Sequence, residues 1–287
     1  MGNVIEKWDA LRRLLKKSSL LLKMVRSVRR FRNKWGGWVR TNFEIVEKLA
    51  VFSPTSRGPL QDRGALALQA AEQVFPLLSS LISTTLKKAV SPVPIESIFP
   101  DTVQDDATAE LAYLFNRYGS DKSSAHNYHL LYGPMLGPRR YEPLQLFEVG
   151  LGTNNLAIAS SMGVSGRPGA SLRAFRDFLP NAQIFGADID RNILFSEERI
   201  KTHFVDQTCE GSFDALALAL GTGGFDFVID DGLHSPNANL ATMLFALRIL
   251  KKGGKCALQQ YDIPVSEMEL IEFHCPVSFF ISLVLTA

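Results

Sequence analysis

An α/β fold with a parallel sheet is predicted for residues 101–287, preceded by a helical, basic region over residues 1–100. Three observations predict it. From about residue 105 onward, short apolar runs of strand length alternate with helix-like stretches. Each apolar run stops at a glycine turn or an acidic residue. A proline-rich stretch at 91–100 separates this pattern from the Ala/Leu-rich segment before it and reads as a linker.

The elements follow in order. Residues 4–35 have apolar residues at helical spacing (Leu11, Leu14, Leu15, Leu21, Leu22, Val25, Val28) and a face rich in Arg and Lys, and Gly36-Gly37 ends the run. Residues 42–52 and 62–90 also read as helices, joined by a Pro/Ser/Gly loop at 53–59. In the second part, helices are expected at 107–118, 171–178, 213–220 and 239–250. Strands are expected at 144–149, 183–187, 200–205, 225–229 and 255–260, and a further apolar strand at 276–285. Strands that alternate with helices pair in parallel through right-handed crossovers. In such a sheet the ligand crevice lies beyond the carboxyl ends of the strands. Glu148, Gly150, Asp188, Asp206, Asp230, Asp231 and Asp262 all stand at or just past those ends, so they should converge on one cleft.

Charge and cysteine content narrow the partners. Residues 1–50 hold thirteen Lys/Arg against four Asp/Glu, a net of +9, which leaves −7 for the rest of a chain whose total is +2. The basic helix at 4–35 suits either a solvated face or contact with an anionic membrane surface or acidic partner. No interleaved aromatic platform supports nucleic-acid binding. Cys209, Cys256 and Cys275 are widely spaced and form no C-x-x-C, so neither zinc nor a disulfide framework is expected, and a reducing, cytoplasmic setting is. The run Leu20–Leu22 is broken by Lys23, too short for a secretion signal or a membrane span.

Five segments carry chemistry. In Glu148-Val149-Gly150-Leu151-Gly152-Thr153-Asn154-Asn155 the two glycines allow a tight turn and close approach to a ligand. A dinucleotide fingerprint needs a third glycine, but Asn155 stands there. Glu148 would repel a pyrophosphate but could accept from an ammonium. Asp188, with Ile189 after it, can accept from the hydroxyls of a ribose, or cap the next turn. Asp206-Gln207 can meet the amino group of an adenine, or simply form a turn. Asp230-Asp231-Gly232-Leu233-His234 puts two carboxylates and an imidazole within five residues, a set suited to Mg²⁺ and a general base. The polar, aromatic stretch 118–132 precedes the first strand of the sheet and could fold over the cleft, as could the Gly/Ser-rich insertion at 160–170.

Together and in this order, Y-G-S-D-K-x-x-x-H-x-Y at 118–128, E-V-G-x-G-T at 148–153, A-S-L-R-A-F-R-D-F-x-P-N-A-Q-I-x-G-A-D-I-D at 170–190, V-D-Q at 205–207 and D-D-G-x-H at 230–234 resemble one family. It is that of the class I S-adenosylmethionine-dependent O-methyltransferases acting on sugars of macrolides and other glycosylated products. The likeness covers about residues 110–263. It implies a Rossmann-like sheet and methyl transfer to a sugar hydroxyl of a small glycoside. The cofactor would lie on Glu148, Gly150, Gly152, Thr153, Asp188, Ile189, Asp206, Gln207 and Asp230. Asp231 and His234 would be catalytic, and Mg²⁺ would sit on Asp231 and Asp262. The family usually has Glu-Asp after the fifth strand, where this chain has Gln259-Gln260. The chain also stops about 25 residues after that strand, shorter than the family's sheet needs. Two alternatives follow: a catalytically impaired cofactor-binding protein, and an NAD-dependent oxidoreductase on the same topology. An oligomer is compatible with the sequence.

Overall fold

The computed structural model describes residues 58–84, 93–94, 99, 106–221, 224–260, 269–274 and 280–285. The helices expected at 4–35 and 42–52, most of the linker, and Asp262 lie outside the described residues.

The first described element is helix α1 (Leu60–Thr84), followed by the short strand β1 (Val93–Pro94). Then come α2 (Asp106–Tyr118), the single turn α3 (Asp121–Ser124), α4 (His129–Leu136) and β2 (Gln145–Val149). The alternation expected from the sequence begins there, with α5 (Ala170–Phe178), β3 (Gln183–Asp188), β4 (Ser196–Glu197) and β5 (Ile200–Phe204). It continues with α6 (Glu210–Leu220), β6 (Phe225–Asp230), α7 (Pro236–Ile249) and β7 (Leu250–Gln260), and ends in β8 (Glu269–His274) and β9 (Phe280–Leu285).

The strands form one nine-stranded sheet in the order β1-β8-β9-β7-β6-β2-β3-β5-β4. The pairs β2–β3, β2–β6, β3–β5, β6–β7 and β7–β9 are parallel. The short edge strands β1 and β4, and the pair β8–β9, are antiparallel. This is a Rossmann-like arrangement, and β2 and β6 flank its switch point: the chain winds from β2 toward β5 on one side and from β6 toward β7 on the other. The switch point is where an open α/β sheet leaves a crevice at its strand ends.

Side chains alternate across the sheet and build two apolar layers. Leu146, Ile184, Phe227, Ile229 and Ala257 pack against α2, α4 and α5 through Leu111, Phe115, Leu131, Phe175 and Phe178. Phe147, Val149, Val228, Cys256 and Leu258 face the other way, onto Phe213, Leu216, Phe245 and Ile249 of α6 and α7. Each fully buried aromatic or branched side chain in these layers contributes roughly 1.5–3 kcal/mol.

The structure differs from the sequence reading in a few places. Gly253-Gly254, expected to end the helix before β7, lie inside that strand. Helix α7 ends at Ile249, and the β6–β7 register shifts between Phe225 and Phe227, so the glycines fall in an irregular stretch of the ladder. That shift accommodates residues which a regular strand could not, and Gly253 takes φ +80° there. Strands β4 and β8 were not foreseen, because two residues, and a polar-apolar mixture such as Glu269–His274, carry little strand signal. Helix α1 packs on α7, where Asn237 Nδ2 donates to Gln73 Oε1 at 2.7 Å. Cys209 and Cys256 are free thiols. Among the described residues, no helix is long and apolar enough to cross a membrane.

Candidate active site

The glycine turn and the loop after β6 are built against each other. Gly150 N donates to Ala187 O at 2.8 Å, and Asp231 N donates to Val149 O at 2.8 Å, which continues the ladder one residue past each strand. Gly150 has φ +91°, and a Cβ there would stand 2.0 Å from the carbonyl oxygen of Asp231. Only glycine fits this crossing, on both conformational and steric grounds. Gly232 is confined by side-chain packing alone, since a Cβ on it would meet Gln207 Oε1 at 2.0 Å.

A cavity of about 480 Å³ opens at these strand ends. Of the expected site residues, Gly150, Gly152, Thr153, Asp188, Ile189, Asp206, Gln207, Asp231 and His234 line it. The 118–132 stretch contributes Asp121, His126 and Tyr128, and the insertion contributes Ser160, Ser161 and Met162. Both segments therefore border the cleft as the sequence suggested. Asp188 accepts from Leu151 N and Asp190 N, each at 2.8 Å, so it braces the glycine turn as well as facing the cavity. Its pKa is raised by burial. Thr153 Oγ1 donates to Asp190 at 2.6 Å. Asp206 accepts from Thr208 N and Thr208 Oγ1 through one carboxylate oxygen.

Glu148 and Asp230 do not face the cavity. Alternation within the strands decides this, and it also sends the adjacent Asp230 and Asp231 to opposite faces of the sheet. Asp230 points toward α7, fully buried, and accepts from Gln207 Nε2 at 2.9 Å, Asn239 Nδ2 at 3.0 Å and Gly232 N at 3.2 Å. Gln207 in turn donates to Thr242 Oγ1 and accepts from Leu233 N at 2.7 Å, which ties the turn after β5 to the loop after β6. Asp230 thus shapes the cleft from behind.

Glu148 and Asp231 share the other face with a residue the sequence reading did not single out. Lys122, almost fully buried, pairs with Asp231 and, at 3.1 Å, with Glu148 Oε1. Ser171 Oγ donates to Glu148 Oε2 at 2.6 Å. With its nitrogen facing the carboxylate, the Gln259 amide donates to Asp231 at 2.6 and 3.2 Å and accepts from Tyr132 Oη at 2.5 Å. Burial works against the Lys122 ammonium, yet Asp231 and Glu148 outweigh it and hold its pKa well above the usual lysine value. Burial likewise penalises Asp231, but Lys122 and His234 keep its pKa far below the usual carboxylate range. For Glu148 burial prevails and raises the pKa despite Lys122. A lysine in a polar loop gives no sequence signal that it will be buried, which is why this pairing was missed.

His234 stands on the loop after β6 and lines the cavity. Its backbone is left-handed, φ +57°, a conformation non-glycine residues seldom adopt outside functional turns. The ring contacts Gln259 O through Nδ1 at 2.9 Å and Asp231 Oδ1 through Nε2 at 3.4 Å. Burial pulls its pKa down, but Asp231 and the Gln259 carbonyl outweigh that and raise it.

The site thus combines a Rossmann-like cleft with a glycine turn, an acid at the end of β3 and an Asp/His pair after β6. Comparison with known proteins finds partial likenesses to sugar O-methyltransferases. The chain is 33% identical over 124 residues to a Streptomyces olivaceus 8-demethyl-8-alpha-L-rhamnosyl tetracenomycin-C 2'-O-methyltransferase, a match that covers 43% of this chain and 30% of that protein. It is 42% identical over 79 residues to the Mycinamicin VI 2''-O-methyltransferase of Micromonospora griseorubida, covering 28% of this chain and 19% of the relative. The solved MycE methyltransferase of the mycinamycin biosynthetic pathway, in complex with Mg and SAH, is 28% identical, with a TM-score of 0.43 over 50% of this chain and 35% of that one. No protein-family model matches the chain. The chain is thus related in sequence to sugar O-methyltransferases, and its matches span a third or less of the two enzymes' lengths.

Proposed function

We propose that residues 101–287 form an S-adenosylmethionine-dependent O-methyltransferase domain that acts on a sugar hydroxyl of a small glycosylated product. The observation that carries this reading is the cleft at the switch point, where Gly150, Asp188 and Asp206 face one cavity with Asp231 and His234. Gly150 and Gly152 would receive the amino acid end of the cofactor, Asp188 and Ile189 its ribose, and Asp206 with Gln207 its adenine. The helix after the turn supports this over a dinucleotide. Helix α5 begins only at Ala170, nineteen residues past Leu151, so no helix amides stand at Gly150–Thr153 to hold a pyrophosphate.

Bound S-adenosylmethionine supplies an electrophilic methyl group, and Mg²⁺ supplies a positive centre that lowers the pKa of a nearby hydroxyl. The chain does the rest. Nδ1–H of His234 donates to the Gln259 carbonyl, which fixes the ring so that Nε2 can take the proton of the acceptor hydroxyl. Asp231 Oδ1 stands 3.4 Å from that same Nε2 and would stabilise the charge it gains. Most of the acceleration would come from aligning oxygen and methyl in the closed cleft.

Mg²⁺ binds well through one or two carboxylates and retains several waters. Asp231 would be one such carboxylate, with Asp262 as a second candidate outside the described residues; the Gln259 amide presents its nitrogen, not its oxygen, to Asp231. Among the described residues, no three His, Cys, Asp or Glu side chains gather as a metal group. The site should therefore bind Mg²⁺ weakly. Gln259→Glu adds a carboxylate beside Asp231 and is expected to tighten Mg²⁺ binding by about tenfold or more, read by calorimetry. Unchanged affinity would place the metal elsewhere.

Calorimetry with S-adenosylmethionine tests the reading directly. His234→Asn keeps a residue that tolerates the left-handed backbone. It should leave cofactor affinity nearly unchanged and lower methyl transfer by about 10²–10⁴-fold, the span of a general base. Loss of binding as well as transfer would make His234 structural. Binding by the wild type without any transfer would favour the cofactor-binding alternative. We propose peripheral contacts of residues 4–35 and a cytoplasmic setting only on the charge pattern and cysteine usage given above.

A further inference from the structure

Asp231, the candidate Mg²⁺ ligand, already carries a cation from its own chain. Lys122 reaches it from α3 and pairs with its Oδ2. The same ammonium lies 3.1 Å from Glu148 Oε1, so it bridges the end of β2 and the loop after β6. Its side chain is only 2% exposed, and that of Glu148 is fully buried. On a third side the nitrogen stands 5.9 Å from the centre of the Tyr128 ring, within reach of a cation–π contact.

The two carboxylates have little left to offer a second cation. Asp231 Oδ2 faces Lys122, while its Oδ1 accepts from the Gln259 amide at 2.6 Å and stands 3.4 Å from His234 Nε2. Glu148 is committed in the same way, with Lys122 on Oε1 and the Ser171 hydroxyl on Oε2. Mg²⁺ demands a near-octahedral set of oxygens and gives up its waters reluctantly. Each N–H on these carboxylates stands where such an ion would need an oxygen lone pair. Beside the ammonium lies a narrow cavity of about 30 Å³, lined by Lys122, Gly150, Gly152, Ser171 and Asp231, with room for a water.

We infer that the Lys122 ammonium is the resident cation of this site: it takes the place between Glu148 and Asp231 that a divalent ion would occupy, and Mg²⁺ reaches Asp231 only by displacing it. This rests on the reading that puts Mg²⁺ on Asp231, and it names the competitor at that same carboxylate. An ammonium and a divalent ion cannot share one carboxylate oxygen, because their repulsion grows as they approach and buried charges are poorly screened. The side chain of Lys122 is therefore a switch for metal affinity, separate from the number of carboxylates the chain provides.

Lys122→Met keeps the stem of the side chain and vacates the place of its nitrogen. Titration of the full chain with MgCl₂ alone, read by calorimetry and by thermal unfolding, tests the exchange. Lys122→Met should bind Mg²⁺ at least about tenfold more tightly than the wild type. It should also regain in MgCl₂ part of the melting temperature it loses without it, as an ion that binds only the folded state must cause. Lys122→Met with Glu148→Gln relieves the buried charge and gives a folded sample, checked by circular dichroism, where the single variant is too unstable; it too should bind more tightly than the wild type. Adding Asp231→Asn to either should remove the gain. Wild-type affinity in the Lys122 variants, a melting temperature that ignores MgCl₂, or a gain that survives Asp231→Asn overturns the inference. Calorimetry with S-adenosylmethionine on the wild type reports separately on the methyltransferase reading: failure there sinks that reading and leaves the exchange at Asp231 standing, whereas cofactor binding with no change in Mg²⁺ affinity sinks only the exchange.

Discussion

Gly150→Ala is expected to abolish cofactor binding and to lower the melting temperature markedly. The new methyl group would stand 2.0 Å from the carbonyl oxygen of Asp231, 2.5 Å from its carbonyl carbon and 2.7 Å from Gly232 Cα. All three are backbone atoms, so no side chain can swing aside. The loop that would have to retreat is the one held by Asp231 N to Val149 O, and it carries His234. The backbone itself adds strain of roughly 1–3 kcal/mol, because φ +91° is foreign to alanine. A domain of this size loses about 2–4 °C per kcal/mol. Thermal unfolding reads the stability change, and calorimetry with S-adenosylmethionine reads the binding. A variant that melts like the wild type and binds the cofactor would show that the turn and the loop are not in contact.

The second large effect is expected at Lys122. Lys122→Met leaves Glu148 and Asp231 without their shared cation on one buried face. Removing one partner of a buried ion pair costs about 3–5 kcal/mol, since the charge left behind is neither solvated nor compensated. That is a large part of the roughly 5–15 kcal/mol that holds a domain together. The cost lies in the orphaned carboxylates rather than in any lost attraction, so it should shrink when one of them is neutralised. Lys122→Met with Glu148→Gln should recover a substantial part of the loss, because Gln keeps the shape of Glu148 and can still accept from Ser171. Urea unfolding of wild type, single and double variants measures this. A double variant less stable than the single would mean that Glu148 is not paired with Lys122 at all.

The motif residues divide along a physical line. Gly150, Asp188, Asp206, Asp231 and His234 were legible because each ends a strand-like run or stands in the loop after one, and a parallel sheet carries all such ends to one rim. That argument needs no side-chain detail. It could not say which strand-end residues face the cavity. Glu148 and Asp230 are equally well placed along their strands, yet one lies under Ser171 and Lys122 and the other under Gln207 and Asn239. Gln259 was seen as a departure from the family's acids, but its reach to Asp231 and Tyr132 depends on the β6–β7 register and on where α4 packs.

What the sequence by itself determined is the alternation of β2, β3, β5, β6 and β7 with α5, α6 and α7, and the rim to which their ends are carried, because hydrophobic period and turn chemistry are local properties. What only the tertiary structure decided is everything that pairs residues far apart in the chain. Lys122 reaches Asp231 across more than a hundred positions, and α1 reaches the cavity from a segment with no motif of its own. Burial of a charge and the closing of a cleft depend on which surfaces meet, and no spacing within a single segment encodes that.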